Sequence, residues 1–187
     1  MKRIDMSNVK EAGDSNRLPA GAYICVIRKV QDFPDREYLK VTYDIAKGEY
    51  KGYYDDLRAD HPDWGWVGAY TKSYKQKALP MFKRFCSAVS KSNGNFVFDG
   101  NSVNADESTL TGKLIGLVLR AEEYYGNDGE KRTRLSVYKE FPVDKLADQK
   151  VPDVKRLEDD GPAPRLAAAS NTDFINVPDG DDGVPFA

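Results

Sequence analysis

The stretch REYLKVTYDIA, residues 36–46, decides how the rest of the chain is read. Its apolar and polar residues alternate strictly. Leu39, Val41, Tyr43 and Ile45 fall on one face, and Tyr38, Lys40, Thr42 and Asp44 on the other. A period of two with β-branched and aromatic residues is the mark of a half-buried strand. Upstream, AGAYICVIRKV (20–30) is apolar on both faces and reads as a buried strand; DFPD (32–35) between the two is a turn signal. Downstream, Lys47-Gly48 interrupts the pattern and EYKGYYDDL (49–57) reads as a third strand, which makes an antiparallel meander.

RADHPDWGWVGAY (58–70) reads as a loop, broken by Pro62, Gly65 and Gly68. SYKQKALPMFKRFCSAVSKSNG (73–94) carries the strongest helical period. Phe82, Phe85, Cys86 and Val89 recur at i, i+3, i+4 and i+7, with Pro80 near the first turn and Asn93-Gly94 as the stop. Residues 95–112 show no period. KLIGLVLRAEEYY (113–125) and EKRTRLSVYKEF (130–141) read as two strands joined by the hairpin turn GNDG, and PVDKLAD (142–148) as a single helical turn. Three strands, a helix and two strands follow the plan of a five-stranded OB-fold-like barrel, mainly β, with one α-helix between strands 3 and 4. The expected domain covers residues 18–157. A flexible arm (1–17) precedes it, and a disordered acidic tail (158–187) follows.

The net charge of −2 conceals an asymmetry. From Glu158 onward there are seven acidic residues and one basic, so the tail carries −6 and the remainder +4. No apolar run is long enough to cross a bilayer, and residues 1–16 lack the apolar core of a secretory signal. Cys25 and Cys86 lie in apolar segments at no metal-like spacing, which fits buried free thiols in a reducing, cytoplasmic compartment.

Catalysis finds little footing. His61 is the sole histidine and sits in a loop. Glu122-Glu123 and Asp55-Asp56 are neighbours in segments read as strands, so each pair points to opposite faces and cannot share a metal ion. A metal-dependent nuclease is thus the weakest reading, and neither a catalytic residue nor a metal or cofactor is expected. Two patches instead combine flat rings with cations, as single-strand binders require. One runs through Trp64, Trp66, Tyr70, Lys72, Tyr74, Lys75 and Lys77. The other is the hairpin, with Arg120, Tyr124 and Tyr125 before the turn and Lys131, Arg132 and Arg134 after it. The alternative is a non-enzymatic protein-interaction module whose small barrel binds no nucleic acid.

The terminal stretch DGDDGVPF (179–186) resembles the acidic tip of bacterial single-stranded DNA-binding proteins. The body is similar to the shorter single-stranded DNA-binding proteins of phages and prophages of Gram-positive bacteria. The similarity rests on LPAGAY (18–23), YLKVTYDIAKGEYKGYY (38–54), ALPMFKRFCSAVSKSN (78–93) and AEEYYGNDGEKRTR (121–134). The resemblance implies a barrel that coats single-stranded DNA and a tail that recruits replication, recombination and repair proteins. Phe186, with Val184 and Pro185, would fill a partner's pocket while Asp179, Asp181 and Asp182 meet its cations. In the bacterial proteins phenylalanine is the last residue; here Ala187 follows, which removes the terminal carboxylate from its usual place. A homo-oligomer is compatible with this reading.

Overall fold

The computed structural model describes residues 17–101 and 103–157; the expected tail and all but the end of the N-terminal arm lie outside them. Five strands, β1 (Gly21–Phe33), β2 (Tyr38–Ile45), β3 (Ala69–Ser73), β4 (Leu114–Tyr125) and β5 (Lys131–Phe141), form one sheet in the order β3-β2-β1-β4-β5. All four pairings are antiparallel. Helices α1 (Tyr53–Asp60) and α2 (Leu79–Ser92) flank β3, so a helix does separate strands 3 and 4. This is the mainly β architecture that the sequence implies.

The alternation in residues 36–46 sets the inside of the sheet. Leu39, Val41, Tyr43 and Ile45 are buried, together with Cys25, Ile27 and Val30 of β1 and Ile115, Leu117 and Leu119 of β4. Phe85, Cys86 and Val89 of α2 complete the core, with Phe82 packed at its edge. Proline in the first turn starts α2 without losing a hydrogen bond. Its other end is tied to β4: the Asn93 side-chain amide donates to the Leu114 carbonyl at 2.8 Å and accepts the Leu114 N–H at 2.9 Å. At the GNDG turn, Gly126 N–H donates to the Glu130 carbonyl, and Gly129 adopts a φ of +78°.

One expectation fails. Residues 49–57 are not a strand but a turn leading into α1. The buried Asp44 carboxylate accepts the N–H of Tyr54 at 2.9 Å and of Ile45 at 2.8 Å, so it supplies an acceptor to the exposed donors at the start of α1. The third strand is instead Ala69–Ser73, whose first residues end the stretch read as loop. Among the described residues no backbone ladder joins β3 to β5, but a side-chain pair spans these two edges. There Lys72 of β3 reaches Glu140 of β5 at 2.5 Å. Since neighbouring strands alternate in direction, β3 and β5 run the same way, and α2 packs against both.

Candidate nucleic-acid interface

Pairing register decides where each ring and cation points. Lys72 is paired with Leu39, and Tyr70 with Val41, both core positions. Lys72 and Tyr70 therefore turn inward. Lys72 is 9% exposed and its ammonium is held by Glu140. The Tyr70 ring packs edge-on against Tyr43, and its buried hydroxyl is pushed well above the usual phenol range by desolvation and by the Glu140 charge. Neither side chain is presented to a ligand, which corrects two of the expected contacts. Tyr74 is half-buried: its hydroxyl donates to Asp32 at 2.8 Å and its ring meets Phe82. Lys75 and Lys77 remain exposed beside the short turn that leads into α2.

The two tryptophans part company. Trp66 packs against the core and its indole N–H donates to the carbonyls of Tyr43 (3.1 Å) and Gly68 (3.0 Å). Gly68 is required there, since a Cβ would lie 2.6 Å from the Tyr43 carbonyl oxygen. Trp66 is thus a structural wedge. Trp64 stands out from the loop, 52% exposed, with its ring stacked on His61.

The hairpin is basic in sequence but largely neutralised in space. Lys131 pairs with Glu123 at 2.8 Å, Arg134 with Glu122 at 2.8 Å, and Arg132 with Asp128. The Lys131 hydrogen bond holds Glu123 below the usual carboxylate range. Burial pushes Glu122 up, but hydrogen bonds from Arg134 and Ser136 outweigh it and hold the group low. Arg134 also covers the Tyr124 ring, and Arg120 lies over Tyr138, 4.9 Å from its centroid. Tyr125 is exposed at the tip. The free edge of β4 beyond β1 is taken by the chain itself: Lys155 N–H donates to Ala121 and Glu123 N–H donates to Lys155, each at 2.9 Å.

The face that carries rings and unneutralised cations is one that the sequence reading left out. A register shift at Arg28 in β1 places Lys29, Gln31 and Phe33 opposite Thr42, Lys40 and Tyr38. These lie on the outer side of the sheet, because Val30 and Leu39, their neighbours, point into the core. Thr71 and Ser73 of β3 continue the same side. The rings of Phe33 and Tyr38 are stacked, with centroids 4.9 Å apart and planes at 18°. Lys40 stands in the next outer pair along the strands and Lys29 in the one after, and none of these residues is acidic. The polar face of β2 already contained Tyr38 and Lys40; finding Phe33 and Lys29 beside them required knowing the pairing.

Strand directions place the Trp64 loop and the β4–β5 hairpin toward one end of the sheet and the Phe33–Tyr38 pair toward the other. Tyr38 and Tyr43, which mark the two levels on β2, are about 17 Å apart at the usual rise per residue. The exposed rings therefore fall in two separated groups. No group of acidic, histidine and cysteine side chains suited to a metal is found among the described residues, and no described helix is long and apolar enough to cross a membrane. The tail residues Asp179, Asp181, Asp182, Val184, Pro185 and Phe186 fall outside the described residues. The chain matches no protein-family model and no curated protein.

Proposed function

We propose that this chain is a non-enzymatic, non-sequence-specific single-stranded DNA-binding protein, of the phage or prophage kind that its sequence resembles. The observation that carries the reading is the outer face of β1–β3, where stacked Phe33 and Tyr38 are followed along the strands by Lys40 and then Lys29, with no carboxylate among these four residues. Five-stranded barrels of this plan use that face and the adjoining hairpin loops for oligonucleotides. Stacking each base on an aromatic ring contributes roughly 1–3 kcal/mol and tolerates any sequence. In this reading the cytoplasmic protein coats exposed strands, alone or as a homo-oligomer. Residues 179–186 recruit replication and recombination proteins.

Titration with labelled oligo-dT and with a duplex of equal length tests it. Binding should favour the single strand and fall with salt at a log–log slope of about −0.7 per phosphate neutralised. Replacing Phe33 and Tyr38 together by Ala should weaken oligo-dT binding at least tenfold while the circular dichroism stays unchanged. Equal affinity for both DNA forms would remove the basis of the proposal. The internal neutralisation of the hairpin cations favours the second reading, a protein-interaction module. It gains the ground if oligo-dT leaves the tryptophan fluorescence and the anisotropy unchanged.

A further inference from the structure

His61 and Trp64 occupy the first and last positions of a four-residue turn. Trp64 N–H donates to the His61 carbonyl at 3.0 Å. Pro62 fills the second position, where its fixed φ suits such a turn. His61 is anchored in its own right at the end of α1, with its N–H donating to the Leu57 carbonyl at 3.1 Å. The two rings lie face to face, centroids 4.0 Å apart and planes 10° from parallel. Trp64 is nevertheless more than half exposed. An indole on a loop and largely in water would ordinarily exchange among rotamers. Here the imidazole covers one face and restrains the ring, which leaves the other face to solvent. Arg58, on the last turn of α1, lines the same shallow cleft as Trp64, along with Leu57 and Val67.

We propose that His61 is a positioning residue. It holds the Trp64 indole as a preformed platform for one nucleobase, with Arg58 placed to meet a neighbouring phosphate. The inference rests on the single-stranded DNA reading and deepens it. Its physical basis is preorganisation: a ring ordered before the ligand arrives does not lose its rotamer freedom on binding.

The experiment titrates a fluorescein-labelled dT20 with the full-length protein and its Trp64→Ala, His61→Ala and His61→Phe variants. Trp64→Ala should weaken binding five- to twentyfold, in line with one lost stack. His61→Ala should weaken it three- to tenfold, and His61→Phe should bind within twofold of the parent. Time-resolved tryptophan anisotropy without DNA supplies an independent readout. The fast local motion of the exposed indole should grow in His61→Ala and not in His61→Phe. If Trp64→Ala is weakened but His61→Ala binds and tumbles as the parent does, the inference falls and the DNA reading stands. If His61→Phe is as weak as His61→Ala, ring-on-ring support is refuted. If Trp64→Ala binds normally while Phe33→Ala/Tyr38→Ala does not, the platform is refuted and the reading survives. Failure of the parent protein to bind dT20 overturns both.

Discussion

Glu140 is the residue whose removal should cost the fold most for the fewest atoms. Its side chain is 3% exposed and faces Lys72 at 2.5 Å and Arg84 at 3.6 Å. The Lys72 side chain is only 11% exposed, so it has little water to fall back on, whereas Arg84 is 39% exposed and can turn outward. Glu140→Ala therefore leaves one buried ammonium uncompensated. Breaking a buried pair in this way costs about 3–5 kcal/mol, a large part of the roughly 5–15 kcal/mol that holds a domain together. Replacing both partners, Lys72→Met with Glu140→Leu, removes the stranded charge. It should cost less than about 1.5 kcal/mol, because an apolar pair of similar volume often matches a buried ion pair. Urea unfolding followed by circular dichroism measures both, together with the single replacements Lys72→Met and Glu140→Leu. Hydrogen exchange at Ala69–Ser73 then reports whether the β3–β5 junction opens. A loss below about 1 kcal/mol for Glu140→Ala, or a double variant no better than the sum of the singles, would show that the pair does not join the sheet edges in solution.

Both thiols should be silent in the native protein. Cys25 is fully buried and desolvation pushes its thiol far up; Cys86 is 4% exposed and pushed up to about 11 by the same cause. Ellman's reagent at pH 8 should react with two thiols only after unfolding, and prompt native reaction at either would contradict the packing. The hairpin should loosen in acid. Glu122 and Glu123 are held low in the fold, so their contribution is in place above the ordinary value of 4.5 and is lost as pH falls through the folded values. NMR amide exchange across Ala121–Tyr125 should accelerate below that pH, ahead of the β1–β2 amides; simultaneous loss would count against it. Trp66→Ala should lower stability by about 3 kcal/mol, through lost packing and the lost indole hydrogen bonds. Urea denaturation checks this, and a stable variant with weakened DNA binding would reverse the roles given to the two tryptophans. Deletion from Asn176 should leave oligo-dT affinity unchanged or higher; its collapse would place the tail inside the folded unit.

The parts of the fold that were legible depend on neighbours in sequence. The alternation from Leu39 to Ile45 and the stripe from Phe82 to Val89 each bury one face of a local element, so period alone reveals them. The third strand was misplaced because Tyr50, Tyr53 and Tyr54 have strand-like composition. What turns that segment into α1 is the Asp44 carboxylate, ten residues before the Tyr54 N–H that it accepts. Local propensity does not register such a contact. Lys72 illustrates the same limit in the site. Beside Tyr70 and Tyr74 it looks like a phosphate contact, yet its partner is Glu140, sixty-eight residues away. The hairpin cations were visible, but Glu122 comes opposite Arg134, and Glu123 diagonal to Lys131, only once β4 and β5 are in register. Trp64 and Trp66 are two residues apart and chemically identical; only the carbonyls of Tyr43 and Gly68 distinguish the buried ring from the displayed one.

The short pairing of Lys155 with Ala121 and Glu123 fixes where the remaining chain departs. Leu157 N–H donates to the Glu123 carboxylate at 3.0 Å, so the last described residue is moored near the turn end of the β4–β5 hairpin. Residues 158–187 start from that pivot and, even fully stretched, reach no farther than about 100 Å from it.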